Sequence, residues 1–184
     1  DAYESILSFE DQLTEDGMVI IKLFLAIDRK EQKKRFDRLL SSKDTAWRVT
    51  EDDLKRNEKF DKYLEMNEEM LARTDTEKAP WHIVEAVDRR FATVKIYSIV
   101  EEMLTRQIEK AELFLAEEGA DAPEADAAET KELMESILGK ADLSLSCSRK
   151  EYEKELKELQ SRIQELHGEL YRRRIPVVLG FEGW

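Results

Sequence analysis

The alternation of apolar and polar residues along the chain predicts long helices separated by three short apolar strands. The predicted strands lie near residues 18–27, 81–87 and 176–182, and each is a short run rich in β-branched or aromatic residues. The first is apolar on both faces apart from Lys22, which is typical of a strand buried inside a parallel sheet. Because helical segments separate the strands, the pattern indicates an α/β fold in which the first two strands are parallel.

Helices account for more than half of the chain in this interpretation. Apolar residues recur at helical spacing over five long segments: 2–14, 29–41, 50–73, 89–116 and 149–173. Three of these segments begin with a capping signal, in which Asp28, Thr50 or Ser148 is followed three residues later by an acidic residue. A further short helix is expected over residues 130–138.

The last long helix carries an apolar seam. Its members are spaced alternately four and three residues apart: Tyr152, Leu156, Leu159, Ile163, Leu166 and Leu170. This is the a/d pattern of roughly three heptads, and it indicates that the helix packs along another helix. One interpretation is therefore a non-enzymatic interaction module held by a coiled coil, although three heptads are marginal for an isolated coil.

Composition narrows the classes of function. The chain has 184 residues, a net charge of −12 and a sequence pI of about 4.8, so as a whole it should repel nucleic acid, polyphosphate and anionic membranes. One cysteine and two distant histidines leave no disulfide framework and no metal site built on Cys or His. No apolar run approaches the roughly 20 residues that a membrane span needs. We therefore expect a cytoplasmic protein with neither nucleic-acid nor membrane partners.

One segment, residues 29–48, is net positive in an acidic chain and is here named the basic island. It contains eight basic and three acidic residues and opens the helical insertion between the first two strands. Such an insertion resembles the lid of an enzyme that transfers phosphate, and the planar fork of arginine binds phosphate oxygens in pairs. Arg35, Arg38 and Arg48 are therefore candidate phosphate contacts. The alternative is that these arginines are surface charges paired with nearby acidic residues.

Acidic residues cluster further along the chain. From residue 109 to residue 136 there are ten acidic and two basic residues, in a stretch that is also rich in alanine. This composition predicts an acidic linker over residues 117–142. It would separate one domain at residues 1–116 from the start of another at residues 143–184.

Three motifs carry a resemblance to a known family. They are Glu31-Gln32-Lys33-Lys34-Arg35-Phe36, Trp47-Arg48-Val49-Thr50-x-x-Asp53, and Met70-Leu71-x-x-Thr74-x-Thr76-x-x-Ala79-Pro80-Trp81. In this order, within residues 1–110, they resemble the C-terminal half of the type-2 polyphosphate kinase family. The resemblance implies a P-loop kinase-like α/β/α sandwich with a helical lid over about residues 29–80. It also implies transfer of phosphate between polyphosphate and nucleoside mono- or diphosphates, with Mg²⁺.

The end of the chain resembles the beginning of the same kind of domain. Residues 152–171 look like its leading helix, and residues 175–184 look like its first strand, with Gly183 as the first glycine of the phosphate-binding loop. The order implies the tandem polyphosphate:AMP phosphotransferase subgroup, with both ends of this chain being cuts in a longer protein. A fragment without the Gly-Lys loop is expected to be inactive alone. The remaining alternative is another lid-bearing P-loop kinase, similar to thymidylate kinase. The sequence leaves the formation of homo-oligomers open.

Two tryptophans lie in the motifs of this resemblance. Trp47 and Trp81 are both candidates for stacking on a nucleobase, but packing in the interior is the favoured interpretation for each. His82, which lies in the second predicted strand, is likewise expected to be a packed side chain rather than a catalytic base.

Overall fold

The computed structural model describes residues 2–117 and 136–183. Within these ranges the elements in chain order are α1 (Ala2–Glu15), β1 (Val19–Ala26), α2 (Arg29–Leu40), α3 (Glu51–Glu58), α4 (Phe60–Thr74), β2 (Trp81–Glu85), α5 (Arg89–Glu117), α6 (Arg149–Arg173) and β3 (Val177–Gly183). Single 3-10 turns lie at Ala46–Arg48 and Leu138–Lys140. The predicted mixed α/β, predominantly helical fold is confirmed.

The three strands form one parallel sheet in the order β2-β1-β3. Lys22 of β1 lies opposite Trp81 of β2, and Val19 of β1 lies opposite Val177 of β3. The prediction that the first two strands are parallel is therefore confirmed. Its physical basis is the apolar run of β1, which is buried over nearly its whole length between two neighbouring strands.

Helices cover both faces of the sheet. On one face Ile21, Leu23 and Val84 pack with residues of α5 and α6 in a single buried cluster. On the opposite face Phe24 packs with Leu71 of α4 and with the residues around the turn at Leu138–Lys140. These layers give the α/β/α arrangement that the family resemblance implies.

The apolar seam of α6 finds its partner within the chain. Leu166 and Leu170 are buried in the cluster that contains Leu104 and Ile108 of α5. Two ion pairs join the helices at the same offset of 61 residues, Arg162 to Glu101 at 3.4 Å and Arg173 to Glu112 at 2.8 Å. The constant offset shows that α5 and α6 run parallel, as expected for helices that both run antiparallel to the strands they connect.

The helix predicted over residues 50–73 is in fact two helices, because the chain bends at Lys59. Lys59 has φ −100° and ψ 25°, between the end of α3 and the start of α4. The buried Asn57 donates to Gln32 Oε1 at 2.7 Å and to the Arg29 carbonyl at 3.2 Å, which fixes α3 against α2. Phe60 is buried at the start of α4, so each of the two helices is anchored by a buried residue of its own, Asn57 for α3 and Phe60 for α4.

The predicted capping signals have different outcomes. Thr50 and Ser148 form complete capping boxes with Asp53 and Glu151. Asp28 caps α2 by accepting from the Glu31 amide at 2.6 Å. The carboxylate of Glu31 does not return that contact; it bonds instead to two basic side chains on the same helix.

The predicted linker, residues 117–142, lies mostly outside the described residues, and so does most of the helix predicted over residues 130–138. Its described end is packed, because Leu138 is buried against α4 and the sheet. Beyond it, β3 joins the same sheet as β1. The division of the chain into parts of two domains stays a prediction.

Candidate functional site at the carboxyl edge of the sheet

The carboxyl ends of all three strands meet at one edge of the sheet because the strands are parallel. Ala26 of β1 lies opposite Glu85 of β2, and Leu25 lies opposite Gly183 of β3. Ligands of open α/β sheets bind in the crevice outside this edge. The helical insertion, residues 29–80, leaves the sheet at the same edge, since α2 follows β1 after two residues.

Arg35 ties the insertion to the edge. Its Nη2 donates to the Ala86 carbonyl at 2.6 Å and, at 3.3 Å, to the carbonyl of Val87. Its Nε donates to Glu31 Oε1 at 3.0 Å, and the side chain remains 30% exposed. Burial raises the pKa of the Glu31 carboxyl, but hydrogen bonds from Arg35 and Lys34 outweigh it and hold that pKa below its usual range. Arg35 therefore has a structural role that motif spacing did not indicate.

Arg38 and Arg48 lie further out on the insertion. Arg38 is in the last turn of α2, one turn beyond Arg35, and Arg48 ends the 3-10 turn that follows. Both are exposed, and neither guanidinium makes a hydrogen bond or ion pair within the part of the chain that the structure describes. The structure thus brings Arg35 to the edge of the sheet and leaves the other two arginines open to solvent.

Trp47 is 77% exposed, so the expectation that it is packed in the interior is wrong. Its indole N–H donates to the Asp44 carbonyl at 2.9 Å, which satisfies its polar end without burial. Trp81 behaves as expected: it is half-buried, and its indole N–H donates to Thr74 Oγ1 at 2.9 Å. The difference follows from position, because Trp81 begins a strand whereas Trp47 lies in the 3-10 turn between α2 and α3.

Gly183 ends β3 at the carboxyl edge, where only glycine fits. Its φ is +138°, and a Cβ at this position would lie 2.5 Å from the Leu25 carbonyl oxygen. The backbone of β3 therefore approaches β1 more closely than any side chain would allow. The close approach of the two strands explains physically why glycine stands at position 183.

Sequence reasoning missed one ion pair at this edge. The carboxylate of Glu85, 9% exposed, accepts from Lys95 Nζ of α5 at 2.5 Å. A glutamate inside an apolar strand was the available signal, because such a residue is rarely buried without a partner. Among residues 2–117 and 136–183, no group of three or more Asp, Glu, His or Cys side chains could hold a metal ion.

The sequence matches a known protein family and several of its members. The family model described as polyphosphate kinase 2 matches residues 1–112. A polyphosphate:AMP phosphotransferase from Pseudomonas aeruginosa is 38% identical over 109 residues, which are 59% of this chain and 22% of that protein. One from Pseudomonas syringae is 40% identical over 105 residues, 57% of this chain and 21% of that protein. The chain thus spans about a fifth of the length of these relatives.

Solved structures agree with this comparison. The crystal structure of a polyphosphate kinase 2 protein from Pseudomonas aeruginosa superposes with a TM-score of 0.56 at 38% sequence identity, covering 59% of this chain and 23% of that one. Polyphosphate kinase 2 from Arthrobacter aurescens superposes with a TM-score of 0.50 at 32% identity, covering 68% of this chain and 41% of the other.

Proposed function

We propose a function from one established premise: the chain belongs to the polyphosphate kinase 2 family, whose model matches residues 1–112. On our proposal it is part of a phosphotransferase that moves phosphate between polyphosphate and a nucleotide, with AMP as the acceptor and ADP as the product. The observation that carries the choice of AMP is the name shared by relatives that are 38–40% identical, polyphosphate:AMP phosphotransferase.

The basic island would supply the electrostatic part of such a reaction. A phosphoryl group in transfer spreads negative charge over its oxygens, and catalysis consists mostly of positioning and charge stabilisation. The chain as a whole carries −12, so phosphate can be attracted only where positive charge is concentrated. The exposed guanidinium groups of Arg38 and Arg48 would bind phosphate oxygens, while Arg35 would hold α2 against the edge of the sheet.

Gly183 would contribute the start of a phosphate-binding loop in the tandem arrangement. Its positive φ and its close approach to β1 support the need for glycine at this position. A complete loop needs a Gly-rich turn and a lysine, which this chain does not supply after Gly183. We therefore propose that the 184-residue chain alone does not turn over AMP.

Magnesium belongs to the proposal for the complete enzyme. Mg²⁺ is commonly bound by one or two carboxylates together with substrate phosphates. The described residues include no group of three or more Asp, Glu, His or Cys side chains that could hold a metal ion, so the ion would be bound together with the phosphate chain or by residues elsewhere in the enzyme. A cytoplasmic location and a homo-oligomeric state also stay proposals. No helix in the described ranges is long and apolar enough to cross a membrane.

The competing interpretation, a non-enzymatic coiled-coil module, is less well supported. It depends on the seam of α6, and two members of that seam, Leu166 and Leu170, are buried against Leu104 and Ile108 of α5 within the chain. A partner protein is therefore not needed to cover this end of the seam.

Single substitutions of the three arginines, made in a phosphotransferase that contains this chain, test the proposal. Arg38→Ala and Arg48→Ala should each lower kcat/KM by roughly ten- to a hundredfold, since a charge-assisted hydrogen bond contributes about 1.5–3 kcal/mol. Their melting temperatures should not change, because neither side chain bonds to the described part of the fold. Arg35→Ala should also lower the melting temperature, since it leaves the Ala86 and Val87 carbonyls without their donor.

Arg149→Ala is the matched control. Arg149 is an exposed arginine at the start of α6, paired only to Glu153 among the described residues. It should leave both turnover and melting unchanged. If neither Arg38→Ala nor Arg48→Ala reduces turnover more than Arg149→Ala does, this copy of the lid has no catalytic role, and the family assignment is unaffected.

A further inference from the structure

Glu68 of α4 makes an unusual set of contacts with a distant part of the chain. Its carboxylate accepts from Ser136 Oγ at 2.5 Å, from the Ile137 amide at 2.8 Å and from the Leu138 amide at 2.9 Å. Ser136 Oγ accepts in turn from the Gly139 amide at 2.8 Å. One surface carboxylate thus satisfies three donors that lie about 70 positions away in the sequence.

Apolar packing reinforces the same contact. Leu138 is buried in a cluster with Phe24 and Leu71, which places it between the sheet and α4. Ile137, Ala141 and Leu143 pack against this cluster as well. Residues 136–143, here named the clasp, therefore close the side of α4 that would otherwise open to solvent.

The clasp connects two units that the proposed reaction would use. On one side it holds α4, the helix by which the insertion returns to the sheet. On the other side it leads through the Ser148 cap into α6 and then into β3, which pairs with β1 and ends at Gly183. A displacement of α4 away from the sheet would break the Glu68 contacts and expose Leu138.

We propose that Glu68 is a positioning residue that couples the insertion helix α4 to the clasp, the segment that leads into α6 and β3. The consequence for catalysis rests on the proposed function: the insertion and the strand that leads to Gly183 would take up their positions together. The coupling itself does not rest on it, because it follows from the contacts of Glu68 and Leu138.

Amide hydrogen exchange on the full 184-residue chain tests the coupling without any assay of activity. In Glu68→Ala, protection of the Ile137 and Leu138 amides should fall by about tenfold or more, because both lose a charged acceptor. Protection across α4 should fall with it by about threefold or more, whereas α5 up to residue 113 should change by less than about twofold. Glu68→Gln keeps one carbonyl acceptor and should lie between the wild-type chain and Glu68→Ala.

Glu69→Ala is the control on the same helix. Its carboxylate is exposed and pairs with Arg73 at 3.2 Å, one turn away, so its loss should leave the clasp amides protected. Equal loss of protection across α4, α5 and the clasp in Glu68→Ala would show only a global loss of stability and would overturn the proposal. So would loss at residues 137 and 138 with α4 unchanged. Failure of the phosphotransfer assays would leave these outcomes untouched.

Discussion

Replacing Lys22 with methionine should destabilise the chain far more than the same change at Lys78, although both lysines pair with a carboxylate of α1. Lys22 Nζ donates to Glu10 Oε2 at 2.8 Å and to the Thr74 carbonyl at 2.6 Å, and it lies 5.1 Å from the centre of the Trp81 ring. The side chains of Lys22 and Glu10 are 6% and 14% exposed. Lys78 pairs with Asp11 at 3.1 Å, but those side chains are 55% and 58% exposed.

The expected magnitude follows from what the change leaves behind. Methionine fills most of the volume of the lysine stem, so little is lost in packing. The carboxylate of Glu10 is left nearly buried without its cation, and removing one partner of a buried pair costs about 3–5 kcal/mol. Because Glu10 retains some access to water, we expect about 3 kcal/mol for Lys22→Met. Lys78→Met should cost less than about 1 kcal/mol, as exposed pairs do.

Urea unfolding followed by circular dichroism measures these differences, provided the slope against denaturant concentration is the same in each variant. Glu10→Gln and the double variant Lys22→Met/Glu10→Gln complete a thermodynamic cycle. The double variant should be more stable than the sum of the single changes predicts by at least about 1 kcal/mol, since it removes the stranded charge. A cost below about 1 kcal/mol for Lys22→Met, or strict additivity in the cycle, would refute the buried-pair argument.

Two further predictions concern single residues. Gly183→Ala should lower the free energy of unfolding by about 1–3 kcal/mol, because φ is +138° and the new Cβ would meet the Leu25 carbonyl. Gly180→Ala is the control: its Cβ would lie 3.8 Å from the nearest atom, so it should cost less than about 1 kcal/mol. Equal shifts in melting temperature for the two variants would contradict this prediction. Burial lowers the pKa of His82, whose Nε2 has no hydrogen-bond partner among the described residues. The unfolded chain therefore binds the proton first, and stability should fall as pH drops below about 6.5. His82→Leu should remove that part of the pH dependence of unfolding. Identical pH profiles for the wild-type chain and His82→Leu would exclude a contribution from His82.

The strands were predictable because burial on both faces leaves a direct mark on the sequence. The run from Val19 to Ala26 is apolar at successive positions, and such a run fits only a strand enclosed by neighbours and helices. Periodicity does not say which strand lies next to which. The pairing of β3 with β1 depends on contacts between residues more than 150 positions apart, such as Val19 with Val177, and local pattern carries no such information.

The candidate site was predictable in part, for a similar reason. The charge of residues 29–48 and the family motifs indicated the arginines as candidates, because both are properties of the sequence. What each arginine contacts depends on tertiary structure: Arg35 reaches two carbonyls that follow β2, a contact across 51 and 52 positions. Trp47 was misjudged because composition makes tryptophan an interior residue by default, whereas its position in a short turn leaves it exposed.

If the helical insertion acts as a lid, as proposed, its anchors limit which part of it can move. Its base is fixed by contacts to the rest of the fold: Arg35 holds α2 to the edge of the sheet, and Lys22 holds the end of α4. In the segment between α2 and α3, here named the tip, the side-chain hydrogen bonds of described residues 42–48 all remain within the insertion's own residues 39–48. Closure over a phosphate chain would therefore involve the tip that carries Arg48 rather than all of residues 29–80. The arginine series separates the two cases, because a tip residue should affect turnover alone whereas a residue at the base should affect turnover and stability together.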